Sequence, residues 1–114
     1  MITAVIYKYK KSEEQIFGFR IAGHAGYDRY GRDIICAAVS ALSINTINSI
    51  ERFTTDRFAV EQADGDLKFK LVTNEAPETQ LLLKSFILGL ESVRETYGDK
   101  YIRIIIRKGR CNLC

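Results

Sequence analysis

The sequence predicts an α+β fold, a mixed and largely antiparallel sheet of about five strands with two helices, in the order β-β-α-β-β-α-β. Three observations lead to this fold class. Apolar and polar residues alternate in five short segments, which is the pattern of half-buried strands. Apolar residues return at helical spacing in two longer segments. Polar or glycine-containing stretches separate these segments, and such stretches favour turns.

The first two elements form a predicted antiparallel hairpin. Residues 1–10 alternate between apolar and polar side chains, residues 11–14 are polar and favour a turn, and residues 16–21 are strand-like. Gly18 lies inside the second strand. There it indicates a β-bulge more often than a close approach by a neighbour or a ligand.

The third element is a helix from about residue 34 to residue 53. Asp33 is its natural N-cap, because a carboxylate at that position can accept hydrogen bonds from the free N–H groups of the first turn. Cys36 then occupies the third helical position. The first half is rich in alanine and serine, so we expect it to pack closely against the sheet or a second subunit. The apolar stripe consists of Ile35, Val39, Leu42, Ile47, Ile50 and Phe53.

The next two strands and the second helix follow in order. Alternation over residues 57–72 predicts a hairpin joined at Asp64-Gly65, because glycine tolerates the positive φ that tight turns need. Pro77 suits the first turn of a helix, where its missing N–H group would be unpaired in any case. A broad apolar stripe then indicates a core-facing helix that ends at Gly98 as its C-cap.

The last strand covers residues 101–108, with Ile102, Ile104 and Ile106 facing inward. Basic residues gather on the first and last strands. If these strands are neighbours, the basic residues form a positive patch with tyrosines as stacking surface, but solvated strand faces give the same pattern and are favoured over an RNA site. The residues are Lys8, Lys10, Lys11, Arg103, Arg107, Lys108 and Arg110, with Tyr7, Tyr9 and Tyr101.

Length and composition limit the class of protein. The 114 residues suffice for one core, so we expect a single domain over residues 1–110 and a short tail at residues 111–114. Hydrophobic residues make up 46% of the chain and charged residues 27%, which argues against disorder. The net charge of +3 favours no partner class by itself. No stretch reaches the length of a membrane span, so we expect a cytoplasmic protein without a membrane partner.

A glycine-rich loop with the sole histidine leads into the first helix. Unpaired N–H dipoles at a helix start and a nearby imidazolium both lower the pKa of a thiol. His24 can supply the imidazolium for Cys36 if the intervening residues 25–35 fold back. Such a Cys/His pair attacks carbonyl groups, which indicates acyl transfer or peptide hydrolysis. The alternative is a small buried cysteine and a loop histidine without a catalytic role.

Asp33 has two further expected effects. Its carboxylate can accept a hydrogen bond from His24 and hold the imidazole in one tautomer, as the third group of a triad does. It also opposes ionisation of Cys36 by like-charge repulsion, which we expect the histidine to outweigh. The backbone N–H groups of Cys36 and Ala37 are candidate donors to an oxyanion, because the first helical turn leaves donors unpaired.

This part of the chain resembles the signature of the ribosomal-processing cysteine proteases, the Prp family. In that signature Gly-His-Ala follows a strand, a short glycine-containing loop comes next, and Asp-Ile-x-Cys-Ala-x-x-Ser opens a helix. Residues 23–25 and 33–40 match it in residue type and order. The resemblance implies a cysteine endopeptidase with Cys36 as nucleophile, His24 as base and Asp33 as the aspartate beside them.

The resemblance also implies a substrate and an assembly. The family removes a short hydrophobic N-terminal extension from large-subunit ribosomal protein twenty-seven after aromatic residues, and it forms homodimers with a mobile loop between histidine and cysteine. We therefore expect the loop and the helix start to bind a ribosomal protein precursor. The loop tyrosines are equally compatible with a surface loop, and the helix serine with a bond to its own helix. The candidate substrate-binding residues are Gly23, Ala25, Tyr27, Tyr30, Ala37 and Ser40.

No cofactor and no metal are expected. Cys111 and Cys114 have the spacing of a metal knuckle, but zinc normally takes four ligands, and Cys36 and His24 belong to the catalytic pair. A frayed tail is the favoured interpretation of the last residues. The alternative function is a non-catalytic ribosome- or RNA-associated binding module, in which the cysteine is simply packed and the basic strands contact RNA.

Overall fold

The computed structural model describes residues 1–29 and 32–109. Its elements are β1 (Ile2–Tyr9), β2 (Ser12–Ala22), α1 (Ile34–Phe53), β3 (Phe58–Ala63), β4 (Asp66–Leu71), α2 (Pro77–Tyr97) and β5 (Ile102–Gly109). The five strands form one mixed sheet in the order β3-β4-β2-β1-β5. β1 and β5 run parallel, and the other neighbouring strands run antiparallel. The predicted fold class and element order are therefore confirmed.

The hydrophobic core lies between one face of the sheet and the two helices. Alternate residues of β1 are fully buried, and both helices contribute side chains to the same cluster. Phe19 of β2 packs with Phe69 of β4 and Phe86 of α2, with ring centroids 5.0 and 4.5 Å apart. Such aromatic packing stabilises by about 1 kcal/mol beyond the burial of area. Both helices thus lie on one side of the sheet.

Two residues of the predicted apolar faces are exposed. Ile106 faces inward as expected, since it is opposite the buried Ile6 of β1, but it is 46% exposed because β5 is an edge strand with a neighbour on one side alone. Phe53 was placed on the buried stripe of α1 but is 72% exposed. It is the last residue of the helix, one turn beyond the last buried position at Ile50. Edge strands and helix ends are where periodicity overestimates burial.

The β1–β2 hairpin is tighter than predicted. β2 begins at Ser12, so the turn is confined to Lys10 and Lys11 instead of residues 11–14. The pairing shifts register between Tyr7 and Lys8, opposite Gly18 and its neighbours. A Cβ atom on Gly18 would lie 2.5 Å from a backbone oxygen of β4, so the glycine both borders the predicted bulge and permits close strand approach.

The helix ends follow the sequence signals at three of four positions. Asp33 caps α1, Pro77 is the first residue of α2, and Gly98 ends α2 with φ +96° and an N–H bond to the Arg94 carbonyl oxygen. The start of α2 nevertheless has no side-chain cap of its own, because Ala76 precedes Pro77 there. The carboxylate of Asp56, distant in sequence, accepts hydrogen bonds there instead.

Some predictions lie outside the described residues or need correction. Those on Tyr30, Arg110, Cys111 and Cys114 fall outside them, and the boundaries of the single domain stay a prediction. The expectation that no stretch reaches the length of a membrane span is wrong, since α1 is long and apolar enough by length and composition. In this structure it contributes to the core against the sheet.

Candidate active site

The loop that carries the histidine leaves the sheet at a glycine. β2 ends at Ala22, and Gly23 follows with φ +90°, a conformation that glycine adopts without steric cost. A Cβ atom on Gly23 would lie 2.5 Å from the Met1 carbonyl oxygen, so contact also excludes a side chain. The Gly23 N–H donates to the Gly65 carbonyl oxygen at 2.9 Å. The start of the loop is therefore tied to the turn of the β3–β4 hairpin.

His24 lies against that same turn. Its side chain is exposed, and its Nε2 atom is 3.1 Å from the position that a Cβ atom on Gly65 would occupy. Gly65 has φ +70°, as its place in a tight hairpin turn requires. Within the described ranges, no residue forms a hydrogen bond with the His24 side chain. Van der Waals contact with the turn limits where the imidazole can lie.

Cys36 is the third residue of α1 and is partly buried. The Ala25 N–H donates to its Sγ atom at 3.2 Å, so the backbone immediately after His24 contacts the sulfur directly. Ala25 itself is buried and belongs to the core cluster. The loop has therefore folded back onto the helix start, as the sequence predicted. No hydrogen bond joins the His24 and Cys36 side chains among residues 1–29 and 32–109.

Asp33 links the loop to the helix through both carboxylate oxygens. Oδ1 accepts from the N–H groups of Ile35 and Cys36, each at 3.0 Å, which confirms the predicted N-cap. Oδ2 accepts from the N–H groups of Tyr27 at 3.0 Å and Asp28 at 3.5 Å. Burial by itself would raise the pKa of the Asp33 carboxyl, but these hydrogen bonds hold that pKa below its ordinary value. The carboxylate is thus ionised near neutral pH.

The predicted bond from Asp33 to His24 is not formed in this structure. Both carboxylate oxygens are occupied by backbone donors, and within the described part of the chain none of their partners is the imidazole. The structure therefore gives Asp33 a role in holding the loop and the helix start together. An orienting role toward His24 would require the loop to rearrange.

The electrostatic environment of Cys36 differs from the expectation. Burial raises the pKa of its thiol, the Asp33 carboxylate raises that pKa further, and the Ala25 N–H group lowers it. Together these effects raise the pKa of the Cys36 thiol. We expected the thiolate to be favoured, but this structure favours the protonated thiol. The predicted imidazolium is not in contact with the sulfur here. Activation of the thiol therefore needs His24 to approach it.

The two side chains nevertheless line one cleft of about 970 Å³. Cys36, Ala37 and Ser40 form the wall contributed by α1, and the end of the β3–β4 hairpin forms the opposite wall. A nucleophile and a base on one cleft of this size can serve carbonyl chemistry on a peptide. Asp28, Asp33 and Gly26 line the same space from the loop.

A smaller pocket of about 130 Å³ adjoins the cleft. It shares six lining residues with the cleft, His24 and Cys36 among them, and five of its other eight lining residues are aliphatic. Apolar side chains of substrates are held by pockets of this character. The aliphatic lining residues are Ile2, Ile21, Val39, Ile44 and Leu67.

The other candidate residues are only partly brought together. Ala37 and Ser40 line the cleft, whereas Gly23 lines the smaller pocket. Tyr27 does not line either one: its ring packs edge-on against Tyr97 and Tyr101, with centroids 5.7 and 5.2 Å away. Tyr27 therefore contributes its ring to neither space in this structure, and its role in substrate binding stays a prediction. Its N–H group instead contributes to the loop through Asp33.

Two predicted hydrogen-bond roles need correction. The Cys36 N–H donates to the Asp33 carboxylate and the Ala37 N–H to the Asp33 carbonyl oxygen, so neither predicted oxyanion donor is unpaired. Ser40 is exposed and, in the described part of the chain, bonds neither to an active-site group nor back to its helix. Ser43 forms the back-bond instead, to the Val39 carbonyl oxygen at 2.7 Å.

Sequence reasoning missed the wall formed by residues 62–65. The Asp64-Gly65 signal predicted the turn itself, and the structure confirms it, with Gly65 at φ +70°. Its position beside His24 follows from the pairing of β4 with β2, which no local pattern indicates. In the described part of the chain, no group of three or more His, Cys, Asp or Glu side chains is arranged to hold a metal ion.

We predict that Asp33→Asn accelerates alkylation of Cys36 at neutral pH. Asparagine can still cap α1 through its side-chain oxygen, but it removes the negative charge that helps to raise the thiol pKa. The rate of iodoacetamide reaction as a function of pH, followed by mass spectrometry of the Cys36 peptide, should shift to lower pH. Asp28→Asn is the matched control, since Asp28 does not act on this pKa. Superimposable profiles for Asp33→Asn and the parent would refute the assignment.

We predict that Gly65→Ala lowers activity by roughly ten- to a hundred-fold, because a Cβ atom would displace the His24 imidazole. Gly98→Ala is the matched control. Gly98 also has a positive φ, +96°, but no atom lies within 4 Å of its Cβ position, so alanine there introduces backbone strain without a steric contact. Peptide cleavage should be compared at equal folded fractions, with stability measured by denaturant titration. Equal activity in both variants would show that the turn does not position the histidine.

Comparisons with known proteins complete the description of the site. Residues 1–103 match the family model of the cysteine protease Prp. The ribosomal processing cysteine protease Prp of Staphylococcus aureus is 32% identical over 79 residues, which span 68% of this chain and 74% of that protein. The Bacillus subtilis protein of the same name is 27% identical over 105 residues, which span 87% of this chain and 92% of that protein.

A solved structure is similar along the whole fold. It is that of an essential ribosomal processing protease Prp from S. aureus, in complex with a covalently linked product peptide. The similarity has a TM-score of 0.86 with 28% sequence identity, and it covers 94% of this chain and all of that one.

Proposed function

This chain is a cysteine protease of the Prp family, and on that premise we propose that it is a ribosomal-processing endopeptidase with Cys36 as its nucleophile and His24 as its base. The observation that carries the proposal is that both side chains line one cleft at the start of α1. The relatives named as ribosomal processing proteases, one of them solved with a covalently linked product peptide, support the same reaction.

The proposed reaction proceeds through an acyl-enzyme. His24 takes the proton of the Cys36 thiol, and the thiolate forms a bond to the carbonyl carbon of the scissile peptide. The imidazolium then gives its proton to the departing amine as the carbon–nitrogen bond breaks. Water, deprotonated by His24, releases the acyl group and restores the thiol. The Cys36 pKa is raised in this structure. The His24 side chain must therefore move to within hydrogen-bond distance of the sulfur when the peptide binds.

We propose the N-terminally extended form of large-subunit ribosomal protein twenty-seven as the substrate, cut after an aromatic residue. The site supports a hydrophobic peptide, since the aliphatic pocket adjoins the side chains of His24 and Cys36. An extended chain can occupy the larger cleft while one apolar side chain enters the pocket.

The test is incubation of the purified chain with this extended ribosomal protein. Mass spectrometry should detect a single new N-terminus directly after the aromatic residue, and a substrate with alanine at that position should stay uncut. The mature ribosomal protein, which lacks the extension, is the matched control and should also stay intact. Absence of cleavage by a folded protein, or cleavage at unrelated positions, would overturn the proposed substrate.

We propose further that the chain works as a homodimer in the cytoplasm. The described helices expose apolar side chains that a second copy can cover: Ile44 of α1 is 49% exposed, and Leu81 and Leu88 of α2 are 68% and 66% exposed. Exposed Ala41 lies on α1 one turn before Ile44. Such a small side chain permits close approach between subunits. Light scattering measures the assembly.

Family membership argues against the alternative of a non-catalytic module, because the family consists of cysteine proteases. We propose separately that the basic terminal strands contact RNA. This proposal is supported by one observation: β1 and β5 are adjacent and parallel, with Tyr7 opposite Arg107 and Lys8 opposite Lys108. The basic residues of the two terminal strands are therefore neighbours.

A further inference from the structure

The face of the sheet opposite the helices is open in the described structure. Register identifies the residues that share it. Tyr7 of β1 is opposite Gly18 of β2 and Arg107 of β5, and Gly18 is opposite Lys70 of β4. A row therefore runs Lys70–Gly18–Tyr7–Arg107 across four strands. With strands about 4.8 Å apart, the two cationic positions are separated by roughly 14 Å.

Two further rows lie on the same face. In one, Lys68 of β4 is opposite Arg20 of β2, which is opposite Val5 of β1. In the other, Arg103 of β5 is opposite Thr3 of β1. Cationic residues thus occupy three of the five strands on this face. They are Arg20, Lys68, Lys70, Arg103 and Arg107.

The acidic side chains on this face are already paired. Asp66 forms a two-point ion pair with Arg20, with N–O distances of 2.9 and 3.0 Å, and Glu61 lies 4.0 Å from Lys68. Lys70, Arg103 and Arg107 have no ion-pair partner within residues 1–29 and 32–109. Of the charged residues named on this face, five are cationic and two are acidic, and both acidic ones are paired.

An aromatic groove interrupts the cationic face at its centre. A cavity of about 480 Å³ lies between β1, β2, β3 and β4, with Tyr7, Arg20, Lys68 and Lys70 among its lining residues. Gly18 contributes no side chain to the row, which leaves space between Tyr7 and Lys70. Phe17 is buried and lines the same cavity, and its ring packs against that of Tyr7 with centroids 5.7 Å apart. The Tyr7 ring therefore lies against Phe17 in a groove that two lysines also line.

We propose that this open face binds single-stranded RNA. In one common RNA-binding module, aromatic residues on an open sheet face stack on two or three bases. Tyr7 lies on an inner strand of this sheet, and the unpaired cations flank it on both sides, where phosphates would lie. An acidic peptide would use the cations but has no planar bases for the groove. The protease site is on a different surface, so the two activities are independent.

The test measures the binding of a short fluorescein-labelled single-stranded RNA by fluorescence anisotropy at several salt concentrations. Lys70→Glu and Arg107→Glu should each weaken binding by roughly ten-fold and reduce the slope of log affinity against log salt by about one. Lys84→Glu on exposed α2 is the matched control, because it changes the net charge equally on the opposite side of the molecule. It should change binding by less than about two-fold.

Stacking is tested at the aromatic ring. Tyr7→Phe keeps the ring and should retain binding, whereas Tyr7→Leu should lose roughly ten-fold. Polyglutamate is the competing probe and should displace RNA poorly. Equal weakening by Lys84→Glu, equal binding by the phenylalanine and leucine variants, or efficient displacement by polyglutamate would overturn the proposal. Cleavage of a short peptide by the Lys70→Glu protein should be unchanged, which separates failure of RNA binding from failure of the protease.

Discussion

Cys36→Ala is expected to abolish peptide cleavage, with a loss of at least roughly a thousand-fold, because it removes the thiol that forms the proposed acyl-enzyme. His24→Ala should cause a loss of similar size, since the thiol pKa is raised and the sulfur stays protonated without a base. Cleavage of the extended ribosomal protein and of a short peptide measures both effects. Unfolding by denaturant should show that each variant remains folded.

The double variant gives the sharper measurement. If Cys36 and His24 act as one unit, Cys36→Ala combined with His24→Ala should be no less active than either single variant. Replacement of both Cys111 and Cys114 by alanine is the matched control for a general thiol effect and should retain activity. A His24→Ala protein with the parent's rate and pH profile would contradict the proposed dyad.

The elements that could be predicted from sequence are those determined locally. Asp33 caps α1 because the carboxylate and the N–H groups it accepts from are two and three residues apart. Gly65 and Gly98 mark a turn and a helix end because both positions have positive φ. Such signals need no knowledge of which elements meet in space. They fixed the element order and placed Cys36 at the helix start.

The parts that could not be predicted depend on how distant elements pair. The wall of the cleft at residues 62–65 lies beside His24 because β4 pairs with β2. The alternation of apolar and polar residues in a strand does not indicate which strand pairs with it. Tyr27 packs on Tyr97 and Tyr101, which follow it by about seventy residues in the chain. The exposed and buried faces of an edge strand are likewise decided by its neighbours.

The direction of the Cys36 pKa was predicted wrongly, because burial of the thiol and the nearby Asp33 carboxylate both raise that pKa. A helix N-terminus favours a thiolate when its N–H groups are free to face the sulfur. Here the Asp33 carboxylate accepts from the N–H of Cys36 and brings a negative charge to the same place. The residue that gives the helix its start therefore opposes ionisation of the nucleophile, which makes the approach of His24 the deciding event.

Asp56 carries the largest expected effect on stability. Its carboxylate is buried and accepts hydrogen bonds from the Thr79 hydroxyl at 2.6 Å, the Thr73 hydroxyl at 3.0 Å, and the N–H groups of Glu75 at 2.8 Å and Ala76 at 3.1 Å. These bonds join the end of α1 to the start of α2, which lacks a local cap. One side chain thus satisfies donors in the connection between β4 and α2 and in the first turn of α2.

We predict that Asp56→Ala lowers the free energy of unfolding by about 3 kcal/mol, because buried donors lose their acceptor. Burial alone would raise the pKa of the Asp56 carboxyl, but the hydrogen bonds from Glu75, Thr79 and Ala76 hold that pKa below its ordinary value. Its contribution is therefore complete above the unfolded carboxyl pKa of about 4 and is lost as pH falls through the lower folded pKa.

Denaturant titrations across acidic pH measure this dependence. The parent should lose stability on acidification more steeply than Asp56→Asn, which keeps the side-chain shape but cannot ionise. Asp99→Asn, an exposed replacement of the same type, is the control and should follow the parent. Parallel curves for the parent and Asp56→Asn would show that the carboxylate does not hold the two helices together through its charge. Steeper acid unfolding of the parent and of Asp99→Asn than of Asp56→Asn would identify Asp56 as the group whose protonation releases α2.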